Sequence, residues 1–102
     1  MFMLADMKVR DLAALRRYAT EVQPLMARHG GAILTISTSP PQAVEGDWRS
    51  DVVVIQRWRS AADFEEFWDS ADYQPLKQLR HAACETRIVR FEGLPPAALG
   101  LG

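Results

Sequence analysis

The run Val52-Val53-Val54-Ile55 constrains this chain more than any other feature. Four consecutive β-branched residues favour a strand, and successive side chains of a strand point to opposite faces. Val52 and Val54 therefore take one face of a sheet, and Val53 and Ile55 the other. The neighbouring strand candidates repeat the pattern: Leu34 and Ile36 oppose Ile33, while Phe2 and Leu4 oppose Met3, Met7 and Val9. An antiparallel sheet with one face in water should alternate apolar with polar residues. This sheet is apolar on both sides near its centre. Helices covering one side leave more aliphatic surface on the other than a monomer in water usually exposes. Burying roughly four to six such side chains would contribute about 1.5–3 kcal/mol each before association costs. A two-fold dimer with its sheets packed face to face is the expectation; the alternative is a monomer with an untidy sheet.

The remaining segments supply the other elements. Phe2–Val9 reads as a strand. Asp11 offers an N-cap oxygen to a helix whose apolar residues Leu12, Leu15, Tyr18, Ala19, Val22, Leu25 and Met26 follow a three-four spacing. Arg28-His29-Gly30-Gly31 closes it with a basic last turn and a left-handed glycine. Pro24, which lacks an N–H, should bend that last turn or start a separate one. Ala32–Thr38 reads as a second strand, broken by Ser39-Pro40-Pro41. A long connection follows to Asp51, with Val44-Glu45-Gly46 as a short strand extension or bulge. Val52–Trp58 is the third strand. Ser60 and Asp63 form an S-x-x-D capping pair for a helix with Phe64, Phe67 and Trp68 on one face. Ser70-Ala71-Asp72 interrupts it. Asp72 can cap a further helix, with Pro75 in its first turn and Leu76, Leu79 and Ala83 on its buried side. Thr86–Glu92 alternates as a last strand. Merging the two short helices gives βαββαβ over residues 1–93. That is an α+β, ferredoxin-like arrangement, with an antiparallel sheet and helices on one face. Residues 94–102 hold Pro and Gly without periodicity and read as an extended or mobile arm.

Composition removes whole classes. Twelve Lys+Arg against 13 Asp+Glu give a net charge of −1, so the electrostatic case for nucleic acid or an anionic membrane is absent. Basic residues are not interleaved with aromatics along a strand, so RNA recognition on the sheet is weak as well. Met1-Phe2-Met3-Leu4-Ala5-Asp6 lacks the basic start of a signal peptide, and no apolar run approaches the ~20 residues of a membrane span. The single cysteine, Cys84, cannot form an internal disulfide and reads as a small buried hydrophobe. The expected address is the cytoplasm. No G-x-G-x-x-G, Walker, G-x-S-x-G or H-E-x-x-H motif is present. The two histidines lack metal-ligand spacing. No cofactor and no metal are expected.

Some residues can still carry chemistry. Tyr73 and Arg80 lie two turns apart on similar faces of one helix, and together they could bind a carboxylate or enolate oxygen, Arg80 through a charge-assisted fork. Alternatively Tyr73 packs on Trp68 or Leu76, and Arg80 forms a salt bridge with Glu45, Asp72 or the other subunit. Arg57 shares parity with Val53 and Ile55, so it needs a partner or ligand unless it lies at the strand's wet end. Asp6 sits mid-strand, either as a base facing a cleft or as a solvated sheet-edge acid. His29 and His81 sit near helix ends, as dipole partners or as a general base. Glu45 and Trp48 occupy the long loop, where binding groups often sit; Trp48 closes a pocket or covers a dimer seam.

Several landmarks in order resemble a known family. They are Asp11 and Tyr18 in the first helix, Gly30-Gly31-Ala32-Ile33-Leu34, Ala43-Val44-Glu45-Gly46-Asp47-Trp48, and Ser70-Ala71-Asp72-Tyr73-Gln74. Leu79-Arg80 and a closing Glu92-Gly93 complete the set. The pattern, over about residues 4 to 93, resembles the thirteen-thirty family of domains of unknown function, in the dimeric α+β barrel superfamily. Ala71, where the family often has Pro, and Arg57-Trp58 depart from it. The resemblance implies a homodimeric α+β barrel with a cleft between helices and sheet in each protomer, and no established reaction. Small-molecule binding in that cleft is the first expectation. The alternative is a cofactor-independent monooxygenase or isomerase of a small cyclic or aromatic acid, with Tyr73 and Arg80 holding the anion while His29 or Asp6 takes a proton. A third reading makes residues 94–102 a docking arm for a protein partner.

Overall fold

Strands β1 (Phe2–Val9), β2 (Gly31–Ile36), β3 (Val52–Trp58) and β4 (Cys84–Phe91) form one antiparallel sheet in the order β2-β3-β1-β4. Helices α1 (Leu12–Arg28), α2 (Ala61–Asp69) and α3 (Tyr73–Ala83) complete the βαββαβ order, with α2 and α3 as separate helices in place of one. The computed structural model describes residues 1–102. The fold is the expected ferredoxin-like α+β arrangement, with β1 and β3 central.

Local chemistry sets the helix starts. The Ala14 N–H donates to Asp11 Oδ1 at 3.0 Å, and the Asp63 N–H donates to Ser60 Oγ at 3.1 Å, so each side chain satisfies a donor that the first turn leaves free. At α3 the expected cap moves. Asp72 is itself helical (φ −65°, ψ −30°) and makes no capping bond. Ser70 takes the role, its Oγ accepting from the Tyr73 N–H at 3.3 Å. Asp72 instead forms a surface ion pair with Arg28 at 3.7 Å. Pro24 does not divide α1, which runs unbroken from Leu12 to Arg28. Its neighbours Val22, Leu25 and Met26 are buried, and their packing holds the turn that lacks one hydrogen bond.

Several local features differ from the expectation. β2 stops at Ile36 because Ser37 replaces the ladder: its N–H donates to the Val53 carbonyl at 2.9 Å, and its Oγ accepts from the Val53 N–H at 3.0 Å. β2 also carries an irregularity between Ile33 and Thr35, so Ile33 and Ile36 both come to the helix side, paired with Gln56 and Val54. Val44-Glu45-Gly46 forms bends and no strand. β4 begins early, at Cys84, directly from the last turn of α3. The expected extended arm contains a single 3-10 turn, Pro96–Leu99. Pro95 fixes its entry, and Gly100, left-handed at φ 73°, closes it through its N–H to the Ala97 carbonyl.

Gly30 and Gly31 do different work. Gly30 turns the chain out of α1 at φ 80°. At Gly31 a Cβ would meet Trp58 ring carbons at 2.6–2.7 Å, so only glycine lets the indole lie flat on β2. Trp58 is the centre of an aromatic core, with Phe67 at 4.8 Å and Phe64 at 5.3 Å between ring centroids.

The registers divide the sheet into two faces. Met3, Ala5 and Met7 of β1 and Val54 and Trp58 of β3 are buried beneath the helices. On the other side, Leu4 sits between Ile55 and Val89, and Phe2 between Arg57 and Phe91. The Phe2 and Phe91 rings stack at 5.8 Å, yet Val89 and Phe91 remain 55% and 51% exposed. No helix of the chain covers this open face, and none is long and apolar enough to cross a membrane.

Candidate functional site

The helix side of the sheet does not close completely. Between α1, α3 and the sheet lies a cavity of about 250 Å³, 17 of whose 21 lining residues are hydrophobic. The four polar ones are Arg16, Gln56, Arg80 and Thr86, and none is an acid. Leu15, Tyr18, Val22 and Met26 come from one stripe of α1, spaced by three and four residues, so a single helical face supplies one wall. Tyr73 and Arg80, seven residues apart on α3, supply the polar end.

Arg80 defines the electrostatics of this cavity. It is only 4% exposed, and its Nε and Nη2 have no hydrogen-bond partner. Its Cζ lies 5.9 Å from the Tyr18 ring centroid and 5.7 Å from that of Trp68, so two aromatic faces flank the charge. Burial works against the guanidinium charge, but the Tyr73 and Tyr18 oxygens outweigh it and hold the Arg80 pKa above its ordinary value. The expected salt bridge to Glu45 or Asp72 is not formed. The Tyr18 and Tyr73 hydroxyls share a hydrogen bond of 2.9 Å. Burial first, then Tyr73 beside it, pushes the Tyr18 phenol well above its ordinary value, so Tyr18 is a neutral hydrogen-bonding group.

The other residues proposed from sequence lie elsewhere. Asp6 faces away from the cleft. It is neither a cleft base nor a solvated edge acid: β1 is central, and Asp6 is 6% exposed on the open face. Both its oxygens are held by Arg87, Nε to Oδ1 at 3.1 Å and Nη2 to Oδ2 at 2.7 Å. Arg57 is exposed on that same open face. His29 ends α1, its Nδ1 3.0 Å from the Leu25 carbonyl and its ring 6.0 Å from that of Phe67. Glu45 is exposed in the loop. Trp48 lies over the Arg87 guanidinium at 5.6 Å, beside a charged hollow formed by Asp6, Lys8, Asp47, Arg49, Glu85 and Arg87. Three acids and three bases compensate one another there. Of the sequence candidates, only Tyr73 and Arg80 meet in the cleft. Tyr18 joins them from another helix, and its place mid-stripe among apolar residues was the signal that could have found it.

Fold and cleft define a class: a ferredoxin-like α+β domain with one apolar cavity carrying a buried cation at its end. Residues 1–94 match the family described as domain of unknown function DUF1330, and the chain belongs to that family. No curated protein matches it. Among solved structures it is similar to RPA0582, a protein of unknown function from Rhodopseudomonas palustris, with 24% identity over 93% of this chain and 82% of that one, at a TM-score of 0.81. It is also similar to a variant of SnoaB, a cofactor-independent oxygenase from Streptomyces nogalater, with 15% identity over 90% of each chain and a TM-score of 0.67. A conserved protein of unknown function from Bacteroides thetaiotaomicron shares 17% identity over 90% of this chain and 95% of that one, at a TM-score of 0.60. At these identities the likeness is one of fold.

Proposed function

We propose that the protein is a homodimer that binds a small, mostly apolar organic anion in the helix–sheet cleft of each protomer. One observation carries the binding reading: a buried guanidinium with two unpaired nitrogens at the end of an apolar cavity. Leaving such donors unsatisfied is costly in an empty protein, and an anionic ligand removes that cost. The dimer reading rests on the open face, where Leu4, Ile55, Val89, Phe2 and Phe91 form a continuous apolar strip that the chain itself leaves uncovered.

A thermal-shift screen of small aromatic acids, acidic quinols, lactones and haem tests the binding reading. The acids and acidic quinols should raise the melting temperature, the lactones and haem should not, and Arg80→Met should abolish the response. A flat profile across the acids rejects it.

A second reading, cofactor-independent oxygenation or isomerisation of the bound anion, draws support from the guanidinium and two phenols gathered at one point, where they could stabilise a developing oxyanion. The likeness in fold to SnoaB, a cofactor-independent oxygenase, supports the oxygenation half of this reading. The base assigned to it from sequence is missing from the cleft, because His29 and Asp6 point elsewhere. Binding is therefore the better-supported conclusion. Oxygen uptake measured with each ligand that binds separates the two.

A further inference from the structure

We infer that the anion is a carboxylate, held side-on by the Nε–Nη2 edge of Arg80, on an uncharged apolar body of one or two rings. This rests on the anion-binding reading and narrows it. The unpartnered atoms are Nε and Nη2, whose N–H bonds leave one edge of the guanidinium plane nearly parallel. Two parallel donors match two coplanar acceptor oxygens. The chain itself shows what this edge holds when filled: Arg87 uses the same two nitrogens on the two oxygens of Asp6, at 3.1 and 2.7 Å. A simple phenolate has one charged oxygen and leaves one N–H of the pair unsatisfied in a dry site. That loss corresponds to roughly 10-fold in affinity. In the Tyr18–Tyr73 pair one hydroxyl donates to the other, so the accepting phenol keeps its own O–H for a ligand oxygen beside Arg80.

The cavity fixes the rest of the molecule. An apolar cavity of roughly 150 Å³ holds benzene, so about 250 Å³ suits a one- or two-ring body. No carboxylate lines the wall, so an ammonium group on the ligand would be buried without a partner, and amino acids are excluded.

Calorimetric titration of the full chain at neutral pH with benzoate, 1-naphthoate, pentafluorophenolate, benzamide and phenylalanine tests this. The two carboxylates should bind roughly 10-fold or more tighter than pentafluorophenolate, and benzamide and phenylalanine should not bind. Arg80→Lys keeps the charge but loses the fork. It should bring carboxylate affinity down about 10-fold and leave that of pentafluorophenolate within roughly 3-fold. Pentafluorophenolate binding as tightly as the carboxylates would overturn the carboxylate assignment and leave the anion reading standing. Phenylalanine binding as tightly as benzoate would overturn the uncharged body alone. Binding by no anion, or by benzamide as well as benzoate, would overturn both readings. The wild-type comparison decides the matter even if Arg80→Lys does not fold.

Discussion

The hydroxyls of Tyr18 and Tyr73 lie 2.9 Å apart although 55 residues separate them in the chain. This one bond ties the middle of α1 to the first turn of α3, beside a guanidinium that has donors to spare. The polar end of the cleft is therefore a small network in an apolar wall, and its members should behave as a unit.

That unit is open to a double-mutant cycle. Tyr18→Phe and Tyr73→Phe each remove one partner of the bond and strand the other, and each should cost about 1 kcal/mol. The double variant removes both and should cost less than the sum. Urea denaturation measures all three; strict additivity would show that the two hydroxyls do not support each other.

The phenol of Tyr18 also sets an alkaline limit. Its pKa is raised in the folded protein, chiefly by burial, above the value of about 10 expected in the unfolded chain. The folded state then holds the proton more tightly than the unfolded state does. Stability from this group is complete below about pH 10 and is lost as the pH rises further. Melting temperatures followed from neutral pH to pH values above about 10 should fall more steeply for the wild type than for Tyr18→Phe. Parallel curves would contradict the shift.

Arg80 should matter more to the ligand complex than to the empty protein. Arg80→Met keeps an unbranched stem of similar reach, removes a buried charge with unpaired donors and forfeits its contacts with the Tyr18 and Trp68 rings. Desolvating an ion costs several kcal/mol, but the two rings and the Tyr73 and Tyr18 oxygens offset that cost, as the raised Arg80 pKa records. The ligand-free variant should keep the wild-type stability within about 1 kcal/mol and should bind no carboxylate. A clear fall in its melting temperature would mean that the guanidinium holds the empty fold together.

Much of this architecture could be read from local pattern. The Ser60–Asp63 cap, the stripe of α1 and the two-sided hydrophobicity of Val52–Ile55 depend on residues close in sequence, and the structure keeps them. Features that depend on a distant partner were hidden. Ser70 displaces Asp72 as the α3 cap because the turn geometry, not residue type, decides which oxygen reaches the Tyr73 N–H. The irregularity at Ile33 and Thr35 exists only in register with β3. At the site, Tyr73 and Arg80 were legible because one helix carries both, whereas Tyr18 arrives through tertiary packing. Strand parity groups Asp6 with Phe2 and Leu4, but which of the two apolar faces the helices cover is decided by packing, and the partner Arg87 lies 81 positions along the chain.

Gly31 offers a sharp test of core packing. Alanine there would place its Cβ 2.6 Å from the Trp58 ring, and the indole has no room to withdraw, being 1% exposed. Gly31→Ala should cost about 1–3 kcal/mol by overpacking. Gly46→Ala is the control: its φ of 83° is strained for alanine, but a Cβ there meets nothing within 4 Å. Its cost should be the backbone contribution alone, about 1 kcal/mol. Equal losses would place the effect of Gly31 in its backbone and not in the Trp58 contact.

The proposed dimer rests on the open face. Ile55 lies at its middle, opposite Leu4 in the register of β1 and β3, with Val89 on the far side of Leu4. None of these side chains contributes to the core beneath the helices, so a charge at Ile55 burdens the outer face and leaves the inner one untouched. If two such faces pack together, Ile55→Glu sets two carboxylates into the seam, each without a partner, and desolvation of unpaired charge outweighs the apolar contact that remains. Light scattering should then find the wild type at twice 11.5 kDa and the variant at 11.5 kDa, with unchanged far-ultraviolet circular dichroism. Association in which the variant keeps the wild-type mass would place the contact on another surface. A wild type already at the single-chain mass would leave the apolar strip bare to water and end the dimer proposal.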